Sequence, residues 1–182
     1  MAEALRTVGH GTLPQDEFTE LVRDAGLQHI IDIRAYPGSR RHPHFARDAI
    51  AQSLDAASLE YSWVPELGGR RSGTRDSPNH ALTVPAFRAY ADYMMTDTFA
   101  AALTELLETA QTRPSAVMCA ESVWWRCHRR LVADAATLLH DYPVLHLFHD
   151  RREVAHTPMA AARVEAGHLI YDVGAARPLD AS

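Results

Sequence analysis

The densest group of reactive side chains in this sequence lies near the middle of the chain. Its segment, SAVMCAESVWWRCHRRL (115–131), begins as an apolar run and then carries Cys119, Glu121, Cys127, His128 and Arg129. An apolar run that passes into a helical pattern is typical of a buried strand that carries functional side chains at its carboxyl end. We therefore expect this segment to contribute to an active site.

Glu121 and His128 are the candidates for proton transfer in this segment. A carboxylate next to a buried strand loses hydration, so it needs a partner or a function. The alternative for Glu121 is that it stabilises the N-terminus of the following helix. His128 shares a helical stripe with Leu131 and Val132 and so faces inward, either as an acid or base or as a core histidine bonded to a carbonyl.

The two cysteines leave three interpretations open. They could be small buried apolar side chains, or Cys119 could be a reactive thiolate at a helix N-terminus. In the third interpretation Cys119, Cys127 and His128, with His10 as a further candidate, bind a metal ion. The spacing from Cys119 to Cys127 differs from the Cys-x2-Cys pattern of structural zinc sites, so the spacing alone does not decide.

Two earlier segments also end in polar residues. A predicted strand over 5–8 is followed by Gly9-His10-Gly11-Thr12, and Thr12 with Gln15 matches a capping box at the start of a helix. Backbone N–H groups at such a turn suit a phosphate group, and His10 would lie beside it.

The next predicted strand, QHIIDIR (28–34), places Asp32 and Arg34 on one face near its carboxyl end. The carboxyl ends of parallel strands meet at one edge of a sheet, where ligands bind. We therefore expect one composite site, in which Asp32 is a further catalytic candidate beside His10, Cys119, Glu121 and His128. Arg34, Arg129 and the turn of Gly9, Gly11 and Thr12 would hold phosphate.

Strands alternate with helical patterns along the rest of the chain. Helices are predicted over 48–57, 85–95 and 97–111, strands over 59–64 and 142–149, and an edge strand over 168–173. The polar stretch 65–83 is predicted to be a long functional or disordered loop. The pattern predicts an α/β fold with a mostly parallel sheet and helices on both faces, a Rossmann-like three-layer arrangement. We assign 1–155 to this single domain and 156–182 to a C-terminal extension.

The composition excludes several classes of function. All 18 basic residues are Arg, and the absence of Lys excludes a lysine Schiff base, lysine-anchored pyridoxal phosphate and a Walker A loop. The net charge of −5 argues against a uniformly basic nucleic-acid binder, although clusters such as Arg70 and Arg71 could still bind phosphate. Arg126 and Arg130 are predicted to share a solvated helix face with Asp134. Aromatic residues including Trp124 could stack on bases or pack in the core.

The length of 182 residues and the apolar content of 47% suit one globular domain. The sequence contains neither an apolar run long enough to span a membrane nor a signal-peptide pattern at its start. Two cysteines are too few for a disulfide scaffold. We therefore expect a cytoplasmic protein that does not associate with membranes.

The sequence also resembles the DUF488 family, bacterial proteins of unknown function. The matching residues extend over roughly residues 5–150: Gly9-His10-Gly11, Asp32-Ile33-Arg34, Pro37, Ser39-Arg40, Tyr61, Leu67-Gly68-Gly69, Cys119-Ala120-Glu121 and Cys127-His128-Arg129. The family usually has Ser at Gly11 and Pro at Trp124, so this chain lacks one hydroxyl and has an altered loop near Glu121.

The resemblance implies a compact α/β fold and adds Ser39, Arg40, Tyr61, Gly68, Gly69 and Trp124 to the candidate binding residues. Our leading hypothesis is an enzyme that hydrolyses or transfers a group at a C–N or phosphoester bond of a nucleotide or nucleic acid. The alternatives are a non-catalytic metal- or nucleic-acid-binding module and a thiol redox protein. A divalent metal remains an open alternative, and the sequence does not determine the oligomeric state.

Overall fold

A computed structural model describes residues 4–38 and 42–174 of the chain. Its centre is a six-stranded sheet with the strand order β3-β2-β4-β1-β5-β6, and a separate two-stranded sheet pairs β7 with β8. The strands are β1 (Leu5–Gly9), β2 (His29–Asp32), β3 (Glu60–Trp63), β4 (Ser115–Cys119), β5 (Val144–Leu147), β6 (Glu153–Ala155), β7 (Ala162–Glu165) and β8 (His168–Tyr171). The helices are α1 (Gln15–Asp24), α2 (Arg47–Ala56), α3 (Pro85–Met94), α4 (Asp97–Thr112) and α5 (Arg129–His140).

The large sheet is parallel except for β6, which pairs antiparallel with β5. Apolar side chains bury both of its faces, because two hydrophobic clusters lie on opposite sides. One cluster includes Phe18 of α1 and Ile50 of α2, and the other includes Leu103 of α4 and Leu131 of α5. The predicted three-layer α/β fold is confirmed.

The central strands explain where a site can form. β4 lies between β1 and β2, and every residue of β4 is buried, as its continuous apolar sequence predicts. In register, Gly9 pairs with Cys119, and Asp32 pairs with Met118. The carboxyl ends of β1, β2 and β4 therefore lie side by side at one edge of the sheet.

The predicted capping box is wrong. Helix α1 begins at Gln15 after Pro14, and no side chain caps it. The Gln15 side chain instead donates hydrogen bonds to the carbonyls of His44 and Ala49. Tertiary bonds to the segment before and within α2 therefore replace the local cap.

The segment predicted as an edge strand does form a strand, but it does not extend the large sheet. β8 pairs with β7 in a hairpin that packs against α3 and α5. Leu169 and Tyr171 of β8 are buried in the cluster on that side. These side chains bury more apolar surface against the helices than they would at the edge of the large sheet.

A single carboxylate holds the middle of the long loop 65–83, and other hydrogen bonds, such as those from Tyr90 to Leu67 and from Ala81 to Tyr171, hold its ends. Asp92 of α3 accepts hydrogen bonds from the backbone and hydroxyl of Thr74, the hydroxyl of Ser77 and the amide of Asn79. These bonds favour the charged carboxylate and lower the pKa of Asp92, although burial acts in the opposite direction. The loop is thus fixed to α3, on one side of the carboxyl-end edge.

Asp134 does not lie on a solvated face, contrary to the prediction. It is fully buried on α5, whereas Arg126 precedes α5 and is exposed. No helix in the described parts of the chain is long and apolar enough to cross a membrane.

Candidate functional site

A cleft of about 740 Å³ opens at the carboxyl ends of β1, β2 and β4. This volume lies in the range of small-molecule sites, and its position is where ligands bind in parallel α/β sheets. Its walls come from the segments after these strands, from loop 65–83 and from α3. The predicted residues that line it are His10, Gly11, Thr12, Arg34, Gly69, Cys119, Glu121, Cys127 and His128.

Asp32 and Arg34 form a buried ion pair on one side of the cleft. The guanidinium of Arg34 binds the Asp32 carboxylate through Nε at 2.9 Å and through Nη2 at 2.6 Å. The hydroxyl of Tyr61 also donates to this carboxylate, at 2.7 Å. Asp32 is fully buried behind Arg34, so its carboxylate holds the arginine in place and is not exposed to a ligand.

The same ion pair determines the state of Tyr61 and of His10. Burial and the negative charge of Asp32 raise the pKa of Tyr61, so its hydroxyl stays protonated. Burial and the charge of Arg34 lower the pKa of His10 to about 4. His10 donates from Nδ1 to the Gly11 carbonyl, and its Nε2 faces Nη1 of Arg34 at 3.4 Å. His10 is therefore a neutral residue at pH 7 whose two nitrogens already have partners.

Two amides of the turn after β1, which the sequence predicts as a phosphate site, already have partners. The amides of His10 and Gly11 donate to the carbonyls of Cys119 and Ala120. These bonds join the segment after β1 to the segment after β4, so the two amides are not available to an anion.

Gly9 and Gly11 permit this close contact between the two segments. A Cβ atom on Gly9 would lie 1.8 Å from the carbonyl oxygen of Glu121, and one on Gly11 would lie 2.1 Å from the hydroxyl of Ser122. Gly11 also has a φ of +54°, which disfavours larger residues. Both glycines therefore serve the packing of the site walls, and Gly68 has the same role because a Cβ there would lie 2.8 Å from Cα of Ala35.

Cys119, Cys127 and His128 converge at the bottom of the cleft. Nδ1 of His128 lies 3.6 Å from Sγ of Cys127 and 3.9 Å from Sγ of Cys119. Nε2 of His128 lies 3.1 Å from the carbonyl of Ile33, to which it donates. This bond places the ring proton on Nε2 and leaves the lone pair of Nδ1 directed at the sulfur atoms.

The two thiols differ in acidity. The hydrogen bond with Cys127 and burial raise the pKa of Cys119. Burial also opposes ionisation of Cys127, but the hydrogen bond from Cys119 and the positive charge of Arg129 lower its pKa below the usual range. The backbone N–H of Arg129 also lies 3.5 Å from Sγ of Cys127. These contacts favour the thiolate form at Cys127 and the thiol form at Cys119.

Glu121 lines the cleft with an exposed side chain, so burial does not single it out as the sequence suggested. Arg129, which was expected to bind phosphate, is buried beneath the loop. Its guanidinium donates to the carbonyl of Glu121 and to the hydroxyl of Thr7. Arg129 therefore supports the segment that carries Glu121.

Trp124, another candidate binding residue, also packs against a neighbouring side chain. Its ring stacks on the ring of His146 with centroids 3.9 Å apart and planes 4° apart. Ser39 and Arg40 lie outside the described residues.

A buried chain of hydrogen bonds continues from His146 away from the cleft. Nδ1 of His146 accepts from the hydroxyl of Thr7 at 2.7 Å, and Nε2 donates to His156 at 2.9 Å. His156 in turn donates to Asp134 at 2.8 Å, which also accepts from the hydroxyl of Tyr171. Burial, with His156 and Arg129 nearby, lowers the pKa of His146 to about 3. The sequence did not indicate this network, because its members are far apart along the chain.

The catalytic and binding residues predicted from the sequence did not include the outer part of the cleft, although Arg70 was noted as one of the arginines that could bind phosphate. Arg70, Arg126 and the exposed Tyr36 lie there, together with His42, whereas Tyr90 lines the cleft from a buried position beside His128. The guanidinium of Arg70 lies over the ring of Tyr36, with its carbon 5.8 Å from the centroid. The available sequence signal was the Arg70-Arg71 pair after Gly69, and in the structure the backbone at Arg70 has a positive φ of 62°.

A model of the family described as "Domain of unknown function DUF488" matches residues 14–136, about two thirds of the chain. The chain belongs to the DUF488 family. No curated protein and no solved structure matches it. The DUF488 match includes Arg34, Arg70, Arg126 and the Cys119–Cys127–His128 cluster, whereas the turn with His10 and Gly11 precedes it.

Proposed function

We propose that this DUF488 protein is an enzyme that acts on a nucleotide, either free or within a nucleic acid, bound in the cleft described above. The observation that carries the proposal is that two unpaired cations, Arg70 and Arg126, line the same cleft as the carboxylate of Glu121. Among the described residues, no carboxylate lies within ion-pair distance of either arginine. An unpaired guanidinium at a cleft can bind phosphate oxygens without first breaking an existing ion pair.

Arg34 has a different role in this proposal. Its bidentate bond to Asp32 neutralises much of its charge, but its Nη1 remains directed towards His10 at the cleft wall. It can orient a bound oxygen atom, whereas Arg70 and Arg126 supply the attraction for phosphate. The exposed ring of Tyr36 beside Arg70 offers a surface on which a base can stack.

Among the described residues that line the cleft, Glu121 is the only one with a carboxylate. As a general base it would accept a proton from water while the water oxygen bonds to the phosphorus atom or to the sugar carbon of the scissile bond. The bond to the leaving group breaks in the same reaction, and the leaving group takes its electron pair. His10 is a poor base because both of its ring nitrogens have partners.

Binding of AMP and of a short single-stranded oligonucleotide tests the role of the arginines. Isothermal titration would compare the wild type, the R70A/R126A variant and an R23A/R152A control, which removes two exposed arginines far along the chain from the cleft. We expect R70A/R126A to weaken binding by about tenfold or more, because it removes charge-assisted hydrogen bonds. We expect the control to bind as the wild type does. Equal losses in the two double variants would mean that the attraction is not specific to the cleft.

Catalysis is tested separately with Glu121→Gln. A panel of nucleotides and oligonucleotides would be screened for released phosphate, base or strand-cleavage products. On the substrate so identified, Glu121→Gln should lower kcat by about 100-fold or more and leave binding unchanged. A variant with full activity would remove Glu121 from the mechanism. Tight binding without turnover of any member of the panel would favour the alternative of a non-catalytic binding module.

A further inference from the structure

We propose that Cys119, Cys127 and His128 form an open binding site for a thiophilic metal ion, Zn²⁺ in the first place. Sγ of each cysteine and Nδ1 of His128 all lie within 4.8 Å of one another. Two thiolates and an imidazole are a donor set that Zn²⁺ prefers. The proposal is independent of the nucleotide proposal, since it uses neither Arg70, Arg126 nor Glu121.

The distances fit a nearly preformed site. Zn²⁺ binds sulfur at about 2.3 Å and nitrogen at about 2.0 Å, so tetrahedral angles separate the two donor atoms by about 3.5 Å. Nδ1 of His128 lies 3.6 Å from Sγ of Cys127 and 3.9 Å from Sγ of Cys119. Shifts of a few tenths of an ångström would therefore bring both nitrogen–sulfur distances to the tetrahedral value, and the two sulfur atoms lie within 4.8 Å of each other.

The orientation of His128 is fixed by a bond outside the site. Its Nε2–H donates to the carbonyl of Ile33, so the lone pair of Nδ1 is available to a metal. Metal-binding histidines usually donate their second ring nitrogen in this way, which fixes the tautomer and the direction of the ring. A histidine that only filled the core would not need its free lone pair directed between two thiols.

The sulfur atoms have supporting contacts as well. The N–H of Arg129, at the start of α5, lies 3.5 Å from Sγ of Cys127. α5 continues for 12 residues, so its N-terminus contributes positive potential to a thiolate. Both cysteines are buried, with exposures of 8% for Cys119 and 4% for Cys127, which limits competition from water.

A fourth coordination position would face the cleft. All three donor residues line the cleft, so a ligand there can reach the ion. Gly69 keeps the approach to the histidine open, because a Cβ atom at this position would lie 3.2 Å from Nδ1 of His128. Three protein ligands with one open position are typical of catalytic zinc sites and not of structural ones.

Metal analysis and cobalt titration test this site on the full-length protein. Purified wild-type protein, reduced and supplied with one equivalent of Zn²⁺, should retain about one zinc per chain after dialysis. Titration with Co²⁺ should produce a sulfur-to-metal charge-transfer band, which reports thiolate ligands directly. The affinity for the metal should fall at least tenfold in each of three variants, Cys127→Ser, Cys119→Ser and His128→Gln. In Gly69→Ala it should fall by a smaller factor. His140→Gln, at an exposed position, is the matched control.

Several results would overturn the proposal. Wild-type protein that neither retains zinc nor develops the cobalt band has no such site, and this measurement does not depend on how well the variants fold. Affinity that is unchanged in a folded His128→Gln variant would place the metal elsewhere. If mass spectrometry of freshly reduced, metal-free protein in air shows rapid loss of two hydrogen atoms, and metal does not prevent it, the cysteines are a redox pair. Nucleotide binding is measured separately, so each proposal can fail without the other.

Discussion

At the scale of single residues, the cleft depends on a few very close contacts between its two central segments. Gly9 at the end of β1 lies directly against the carbonyl of Glu121, and this carbonyl also accepts a hydrogen bond from Arg129. The backbone that carries the exposed carboxylate of Glu121 is therefore fixed by Gly9 and Arg129. The position of the proposed base is a property of packing and not of the glutamate alone.

Gly9→Ala should consequently destabilise the protein. Its Cβ would lie 1.8 Å from the Glu121 oxygen and 2.7 Å from Nη2 of Arg129, so backbone must move. We expect the free energy of unfolding to fall by about 3 kcal/mol, as in other overpacked sites. Urea denaturation measures this loss. Gly38→Ala is the control, because no atom of the described residues lies within 4 Å of the added atom. Equal stability of the two variants would contradict the close contact.

Buried histidines predict how stability depends on pH: burial lowers the pKa of His10, of His146 and of His29. The pKa of His10 is about 4 and that of His146 about 3 in the folded protein, whereas the ordinary value is 6.5. Below pH 6.5 the unfolded chain takes up protons at these positions and the folded protein does not. Stability is therefore lost as the pH falls from 6.5 towards 4, and neither histidine contributes a pH dependence above about 7.

Urea denaturation at pH 7 and pH 5 measures this effect. We expect the wild type to be less stable at pH 5. In His10→Gln the unfolding free energy should fall less between pH 7 and pH 5 than in the wild type. The difference should be at most about 2 kcal/mol, since one site contributes at most about 1.4 kcal/mol per pH unit. A variant with the same pH dependence as the wild type would show that His10 takes up a proton in the folded state.

At the scale of secondary-structure elements, Asp134 connects three parts of the chain. From α5 it accepts hydrogen bonds from His156 after β6, from the backbone of Met159 before β7, and from Tyr171 of β8. The C-terminal hairpin is thus attached to the domain by a buried carboxylate as well as by apolar packing. This helps to hold α5, whose N-terminus carries the Cys–His cluster.

Asp134→Ala should therefore be strongly destabilising. It leaves the hydroxyl of Tyr171 and the Nε2–H of His156 buried without an acceptor, which we expect to cost about 3 kcal/mol of unfolding free energy. Thermal and urea denaturation measure this cost. Asp55→Ala, on an exposed position of α2, should change stability by less than about 0.5 kcal/mol. If Asp134→Ala matched this control, the network would not contribute to stability.

The sequence predicted the strands and helices better than it predicted which segments they pair with. Hydrophobic runs such as those around Ile31 and Val117 identified the strands of the parallel sheet, because burial on both faces requires continuous apolar sequence. The strands β6 and β7 were not predicted, since short, exposed strands lack this signal. Strand β8 was predicted, but its pairing with β7 was not. The Thr12–Gln15 pattern failed because Gln15 found tertiary partners.

At the scale of the whole molecule, the sheet topology assembles one site from distant residues. The rule that ligands bind at the carboxyl ends of parallel strands correctly predicted that His10, Arg34, Cys119 and Glu121 would line one cleft. It did not distinguish residues that face the cleft from those behind it. Asp32, Arg129 and Trp124 support the walls, and only packing in three dimensions reveals this.

The molecule is acidic overall, with a net charge of −5, yet its main cleft has arginines at the outer part. A ligand attracted by this cleft therefore needs compact negative charge, since the rest of the surface repels large anions. A mononucleotide or a single nucleotide of a strand fits this description better than a long duplex. The cleft volume of about 740 Å³ agrees with that size.

A crystal structure of the full-length protein grown with AMP tests the central claim most directly, because it locates a phosphate group independently of any variant. We predict AMP in the cleft at the carboxyl ends of β1, β2 and β4, with phosphate oxygens bonded to Arg70 or Arg126 and the base beside Tyr36. AMP bound elsewhere on the protein, or a cleft that stays free of nucleotide at saturating AMP, would contradict the account.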